Sequence, residues 1–97
     1  MTNEFSFLRQ LEQVIAGRRS APADTSYTAS LLAAGRQRIA QKVGEEGVEL
    51  ALAGVGNDRS RVVAETADLL YHVLVLLVDQ EVSLQEVVEE LERRHQG

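Results

Sequence analysis

Apolar residues along this chain return every three or four positions, and no useful stretch alternates with the two-residue period of a strand. Phe7, Leu8, Leu11, Val14 and Ile15 give a first helix one apolar face, with Asn3 as its cap and Gly17 as its stop. Arg18 to Tyr27 contains the single proline and several small polar residues and reads as an ordered loop. Thr25 or Ser26 caps a short helix through Ala34, which Gly35 ends. A longer helix follows from Arg36 to Ala53. Gly54-Val55-Gly56-Asn57 is a turn, and Asp58 caps a central helix from about Arg59 to Glu81. Ser83-Leu84-Gln85-Glu86 fits a capping box. It opens a last helix that ends near His95, with Leu84, Val87, Val88 and Leu91 inward. The pattern predicts an all-α helical bundle, with residues 1–97 as a single domain.

Two of these helices carry acids in rows. At about 100° per residue, Lys42, Glu45, Glu46 and Glu49 share one face of the Arg36–Ala53 helix. Glu65, Asp68 and His72 fall on one narrow stripe of the central helix, which is otherwise apolar almost all round. A helix of that kind is expected to be buried, and carboxylates on it need partners. A hard divalent cation can serve two facing carboxylate stripes at once. Glu46-x-x-Glu49 and Glu65-x-x-Asp68 on adjacent antiparallel helices would bring four carboxylates around one or two ions. Oxygen-only donors favour magnesium or manganese over zinc. The alternatives are a solvated acidic face for the glutamates, and ion pairs from Lys42 and Arg38 that satisfy Glu65 and Asp68. Gly44 and Gly47 weaken their helix by roughly 1 kcal/mol each relative to alanine. Either a ligand approaches the backbone there or another helix packs closely.

Composition narrows the classes. At 97 residues, 44% hydrophobic and 26% charged, the chain suits one folded domain with a modest core that oligomerisation would help. The net charge of -5 argues against a general basic surface for nucleic acid. It leaves room for a phosphorylated small molecule held through a metal. No cysteine is present, so disulfides and thiolate metal sites are excluded. The start of the chain lacks a basic region followed by an apolar run, and Leu69–Val78 is too short to span a bilayer, so a cytoplasmic protein with no membrane partner is expected.

A carboxylate-held cation points to phosphoanhydride hydrolysis. Glu45, beside the ligand stripe, is the candidate to accept the water proton. Lys42, Arg38 and Arg18 are candidates to meet polyphosphate charge, against the plainer reading of balancing surface cations. His72 is expected to hydrogen-bond a carboxylate, and Tyr71 to lie in the core or a dimer interface. There is no Glu-x-x-His pair of a di-iron bundle and no P-loop, and no local context supports a nucleophilic serine. The apolar circumference of the central helix predicts a dimer.

The motifs resemble those of the phosphoribosyl-ATP pyrophosphohydrolase family. The resemblance runs through Arg18 and its loop, Ser26-Tyr27-Thr28-Ala29-Ser30-Leu31-Leu32, Ile39 to Glu49, Ala67 to Leu77 and Glu90 to His95. The wider group of all-α nucleoside triphosphate pyrophosphohydrolases, similar to MazG, shares only the Glu-x-x-Glu and Glu-x-x-Asp skeleton. The resemblance implies a MazG-like all-α fold, a homodimer or higher assembly, and a magnesium requirement. It implies hydrolysis of phosphoribosyl-ATP between its α and β phosphates in the second step of histidine biosynthesis. It implies Glu46, Glu49, Glu65 and Asp68 as metal ligands, Glu45, Glu46 and Lys42 in catalysis, and Ser26, Tyr27 and Thr28 near the substrate. No fused cyclohydrolase segment is evident, so the next step is expected on another polypeptide. Two other readings stand beside it: a house-cleaning nucleotide pyrophosphatase and a non-catalytic helical dimerisation module.

Overall fold

The structure, a computed structural model, describes residues 5–96. Five α-helices lie among them, and no strand. They are α1 (Ser6–Gly17), α2 (Tyr27–Ala34), α3 (Arg36–Gly54), α4 (Arg59–Asp79) and α5 (Leu84–Arg94). The all-α expectation holds, and most boundaries fall within two residues of the predicted ones because local chemistry sets them. Ser26 caps α2, its hydroxyl oxygen accepting from the Ala29 N–H at 3.0 Å. Gly35 stands between α2 and α3 with φ +102°, a backbone conformation that costs a side-chain-bearing residue strain. Asp58 caps α4 through the Arg61 N–H. The Ser83 hydroxyl accepts from the Glu86 N–H at 3.1 Å while the Glu86 carboxylate accepts from the Ser83 N–H at 2.9 Å, completing the capping box. Glu12 of α1 adds a further cap by accepting from the Leu84 N–H at 2.7 Å.

Three expectations change. Asn3 lies outside the described residues, and the N-cap position of α1 belongs to Phe5, with no side-chain cap bond. The central helix stops at Asp79, short of Glu81. Glu81 turns left-handed (φ 59°), and the Glu81 and Val82 N–H groups bond back to the Val78 and Leu77 carbonyls at 3.0 and 2.9 Å. That is a Schellman closure made without glycine. The Arg18–Tyr27 loop contains a 3-10 turn, Ala23–Thr25, which starts after Pro22.

The core gathers Ile15 of α1, Leu31 of α2, Ile39 of α3 and Leu74, Val75 and Val78 of α4. α3 and α4 form an antiparallel hairpin clamped at both ends. Arg36 meets Asp79 at 2.8 Å at one end, and Arg61 meets Glu49 at 3.8 Å at the other. Not every apolar residue turns inward. Phe7 and Val14 on α1, and Val88 and Leu91 on α5, are exposed, so the predicted inward faces of these two helices are only partly used within one chain. The central helix is likewise buried only toward its C-terminal half, at His72, Leu74, Val75 and Val78, while Val63 and Leu70 are exposed.

Candidate active site

The clamps on the hairpin fix which acids face each other. With Arg36 opposite Asp79 and Glu49 opposite Arg61, Glu46 of α3 lies across from Glu65 and Asp68 of α4. One carboxylate oxygen from each of these three residues lies within 4.8 Å of the other two. Glu46 and Glu65 are half-buried and Asp68 is exposed, so these carboxylates are not sealed in a core as a fully buried helix would require. Among the described residues, no hydrogen bond or ion pair engages the Glu65 or Asp68 side chain, so the alternative in which Lys42 and Arg38 satisfy them is not realised. Three acidic oxygens held this close repel one another, and a hard cation with oxygen preference relieves that repulsion. The donor set fits magnesium or manganese, and the cluster opens to solvent on the Asp68 side, where further ligands can enter.

The remaining α3 acids stand around this group. The Lys42 ammonium lies 3.4 Å from Glu46 and 3.6 Å from Glu45, as their shared face predicts. Lys42 is held above its ordinary pKa, first by electrostatic interaction with Tyr27 and also by Glu46 and Glu45. Glu45 is held below the usual carboxylate value, first by a hydrogen bond from Gln41 and then by the charges of Lys42 and Arg38. These contacts favour the charged form of Glu45 and lower its affinity for a proton. Glu49 is not in the three-carboxylate group; its partner is Arg61. A Cβ built at Gly44 or Gly47 would meet nothing within 4 Å, so close packing inside this chain does not account for either glycine.

The Ser26-Tyr27-Thr28 segment reaches the same region from α2. Thr28 Oγ1 and the Tyr71 hydroxyl share a short hydrogen bond, and the Tyr27 hydroxyl lies 3.0 Å from His72 Nε2. The Tyr27 and Tyr71 rings stack with centroids 6.2 Å apart, and both meet the His72 ring edge-on. His72 is buried, and its Nδ1 lies 2.7 Å from the backbone carbonyl of Asp68. The expected carboxylate partner is therefore replaced by a backbone oxygen one turn back on the same helix. Arg18 is placed differently. It follows α1, and its neighbour Arg19 pairs with Glu81 beyond the C-terminal end of α4. That end lies about 16 Å along the helix from Asp68.

The sequence reading missed the two consecutive pairs, Tyr27 with His72 and Thr28 with Tyr71, and the Arg61 partner of Glu49. The signal for the first was present as two adjacent polar-tipped residues on each of two apolar helices. Away from the acids, a cleft of about 430 Å³ lies between α1 and α5, against Phe5, Leu8, Leu84 and Val88.

Comparison with known proteins bears directly on this arrangement. The histidine biosynthesis bifunctional protein HisIE of Photobacterium profundum is 58% identical over 89 residues, covering 92% of this chain and 43% of that protein. The proteins of the same description from Vibrio parahaemolyticus and Escherichia coli K12 are each 56% identical, over 93 and 94 residues, covering 96% and 97% of this chain and 44% and 46% of theirs. The chain thus spans less than half the length of the curated relatives it matches. The family model described as phosphoribosyl-ATP pyrophosphohydrolase matches residues 8–95, which include every helix that carries the acids, Lys42 and the Tyr27–His72 contact. On that match the chain belongs to the phosphoribosyl-ATP pyrophosphohydrolase family.

Proposed function

We propose that this chain hydrolyses phosphoribosyl-ATP at its α–β phosphoanhydride, giving pyrophosphate and phosphoribosyl-AMP in the second step of histidine biosynthesis. The observation that carries the reading is the meeting of Glu46, Glu65 and Asp68 across the α3–α4 hairpin of a chain in this family. These three, joined by Glu49 once it leaves Arg61, would hold Mg²⁺, or Mn²⁺ in its place. The ion, when bound, supplies charge neutralisation to the phosphate oxygens.

The protein's own groups do the rest. The Lys42 ammonium, 3.4 Å from Glu46, would meet the negative charge of the polyphosphate. Arg38, already felt electrostatically at Glu45, adds positive charge on the same side of α3. Glu45, one residue from Glu46 on α3, accepts the proton of the attacking water. Ser26, Tyr27 and Thr28 border the substrate from α2, and Arg18 meets it only across an assembly of chains. The exposed Val48 and Leu52 of α3 and Val63 and Leu70 of α4 support a homodimer or larger assembly that buries them. The reaction is assigned to the cytoplasm, in keeping with the absence of a membrane-spanning helix among the described residues.

The test is pyrophosphate release with phosphoribosyl-ATP and, separately, with ordinary deoxynucleoside triphosphates. Turnover of phosphoribosyl-ATP well above that of the triphosphates is expected. The reverse order would make the chain a house-cleaning pyrophosphatase, and no turnover of either would leave a helical dimerisation module.

A further inference from the structure

Arg61 stands on the same stripe of α4 as Glu65 and Asp68, one turn before Glu65. Glu49 stands one turn past Glu46 on α3. The two therefore meet in the layer next to the three acids of the antiparallel hairpin. Their separation of 3.8 Å exceeds hydrogen-bond length, and both side chains are half exposed. The pair is held by charge alone, in reach of water, and a stronger cation can take the carboxylate. Among the described residues, Glu49 has no other ion pair or hydrogen bond. Arg61 thus gives the fourth acid of this face a counter-charge outside a group of three that already repel one another.

We propose that Arg61 is a positioning residue that competes with the ion for Glu49: it holds this carboxylate out of the cluster until the ion takes it. The inference rests on the reading in which Glu46, Glu65 and Asp68 hold the ion. Arg61 and the ion then bind Glu49 in alternation, so each weakens the other's hold by the same factor. Removing the guanidinium should tighten the site. With Glu49 neutralised, Arg61 can oppose the ion only through its bare charge, which salt screens. The Asp58 cap accepts from the backbone N–H of Arg61, so a change of the Arg61 side chain leaves the start of α4 in place.

Calorimetric titration with Mg²⁺ alone, at one ionic strength, tests this on the wild type, Arg61→Gln, Glu49→Gln and the double variant. Helix content by circular dichroism establishes that the chains compared are folded. Arg61→Gln should bind Mg²⁺ roughly three- to fivefold more tightly than the wild type, the scale of an exposed ion pair. Glu49→Gln should bind it less tightly than the wild type. Adding Arg61→Gln to Glu49→Gln should then tighten binding by less than about twofold, because the competition is already gone. Arg61→Lys, which keeps a charge, should stay within about twofold of the wild type. Equal affinity in the wild type and Arg61→Gln would overturn the proposal and leave the three-acid site standing. So would the same gain with and without Glu49, the mark of a long-range charge effect. Binding by Arg61→Gln where the wild type shows none would support the competition. No binding by any of the chains would remove the parent reading and the proposal with it.

Discussion

Asp68→Asn is expected to lower turnover of phosphoribosyl-ATP by roughly 10²–10³-fold, the rate equivalent of losing several kcal/mol of charge stabilisation at the reacting phosphates. The change keeps the size and shape of the side chain and removes its charge. Asp68 is exposed and no described partner depends on its carboxylate, so the fold has little reason to respond. Its backbone carbonyl, which holds His72, is untouched by the substitution. Helix content by circular dichroism and the melting temperature should therefore stay near wild type while the rate collapses. Glu46→Gln should behave alike in rate, with one difference. It also breaks the 3.4 Å pair with Lys42, so its KM should shift as well. Wild-type rates in both variants would separate the acidic group from the chemistry.

Ile39→Ala carries the largest expected effect on stability. Ile39 has no exposed surface and joins Ile15, Leu31 and Val75 where α1, α2, α3 and α4 meet. Removing its outer methyl groups loses their transfer energy and leaves a cavity, at a cost of about 2–4 kcal/mol. A domain of this length holds only about 5–15 kcal/mol in total, so the melting temperature should fall by more than about 10 °C. Thermal unfolding checks this, with Val48→Ala as the contrast: Val48 is exposed in the single chain and should matter only where chains associate.

Local signals carried the fold a long way. Ser26, Gly35, Asp58 and Ser83 each mark a helix end through bonds made within four residues, so they were legible without tertiary information. Glu81 was not, because a left-handed glutamate carries none of the marks that a glycine would. Burial was read less well than helicity. The apolar periodicity that includes Val14 and Leu91 says that a face seeks cover, and it does not say which surface provides it. The acidic site shows the same division. Helical spacing put Glu65 and Asp68 on one stripe and Glu46 beside Lys42. Whether Glu49 joins the acids or pairs with Arg61 depends on the register of α3 against α4, which no single-helix pattern encodes. His72 found its partner one turn back on its own backbone, a choice open to any histidine on a helix and hidden whenever side-chain partners alone are weighed.

Magnesium titration followed by calorimetry, on the wild-type chain and on Glu65→Gln, reaches the central claim without any assay of turnover. Glu65 belongs to the cluster with Glu46 and Asp68 and has no other described partner. Saturable binding by the wild type that disappears or weakens at least tenfold in the variant is the predicted result. Equal binding by the two chains, or none by the wild type even with a pyrophosphate-bearing ligand present, would contradict a cation held between these helices.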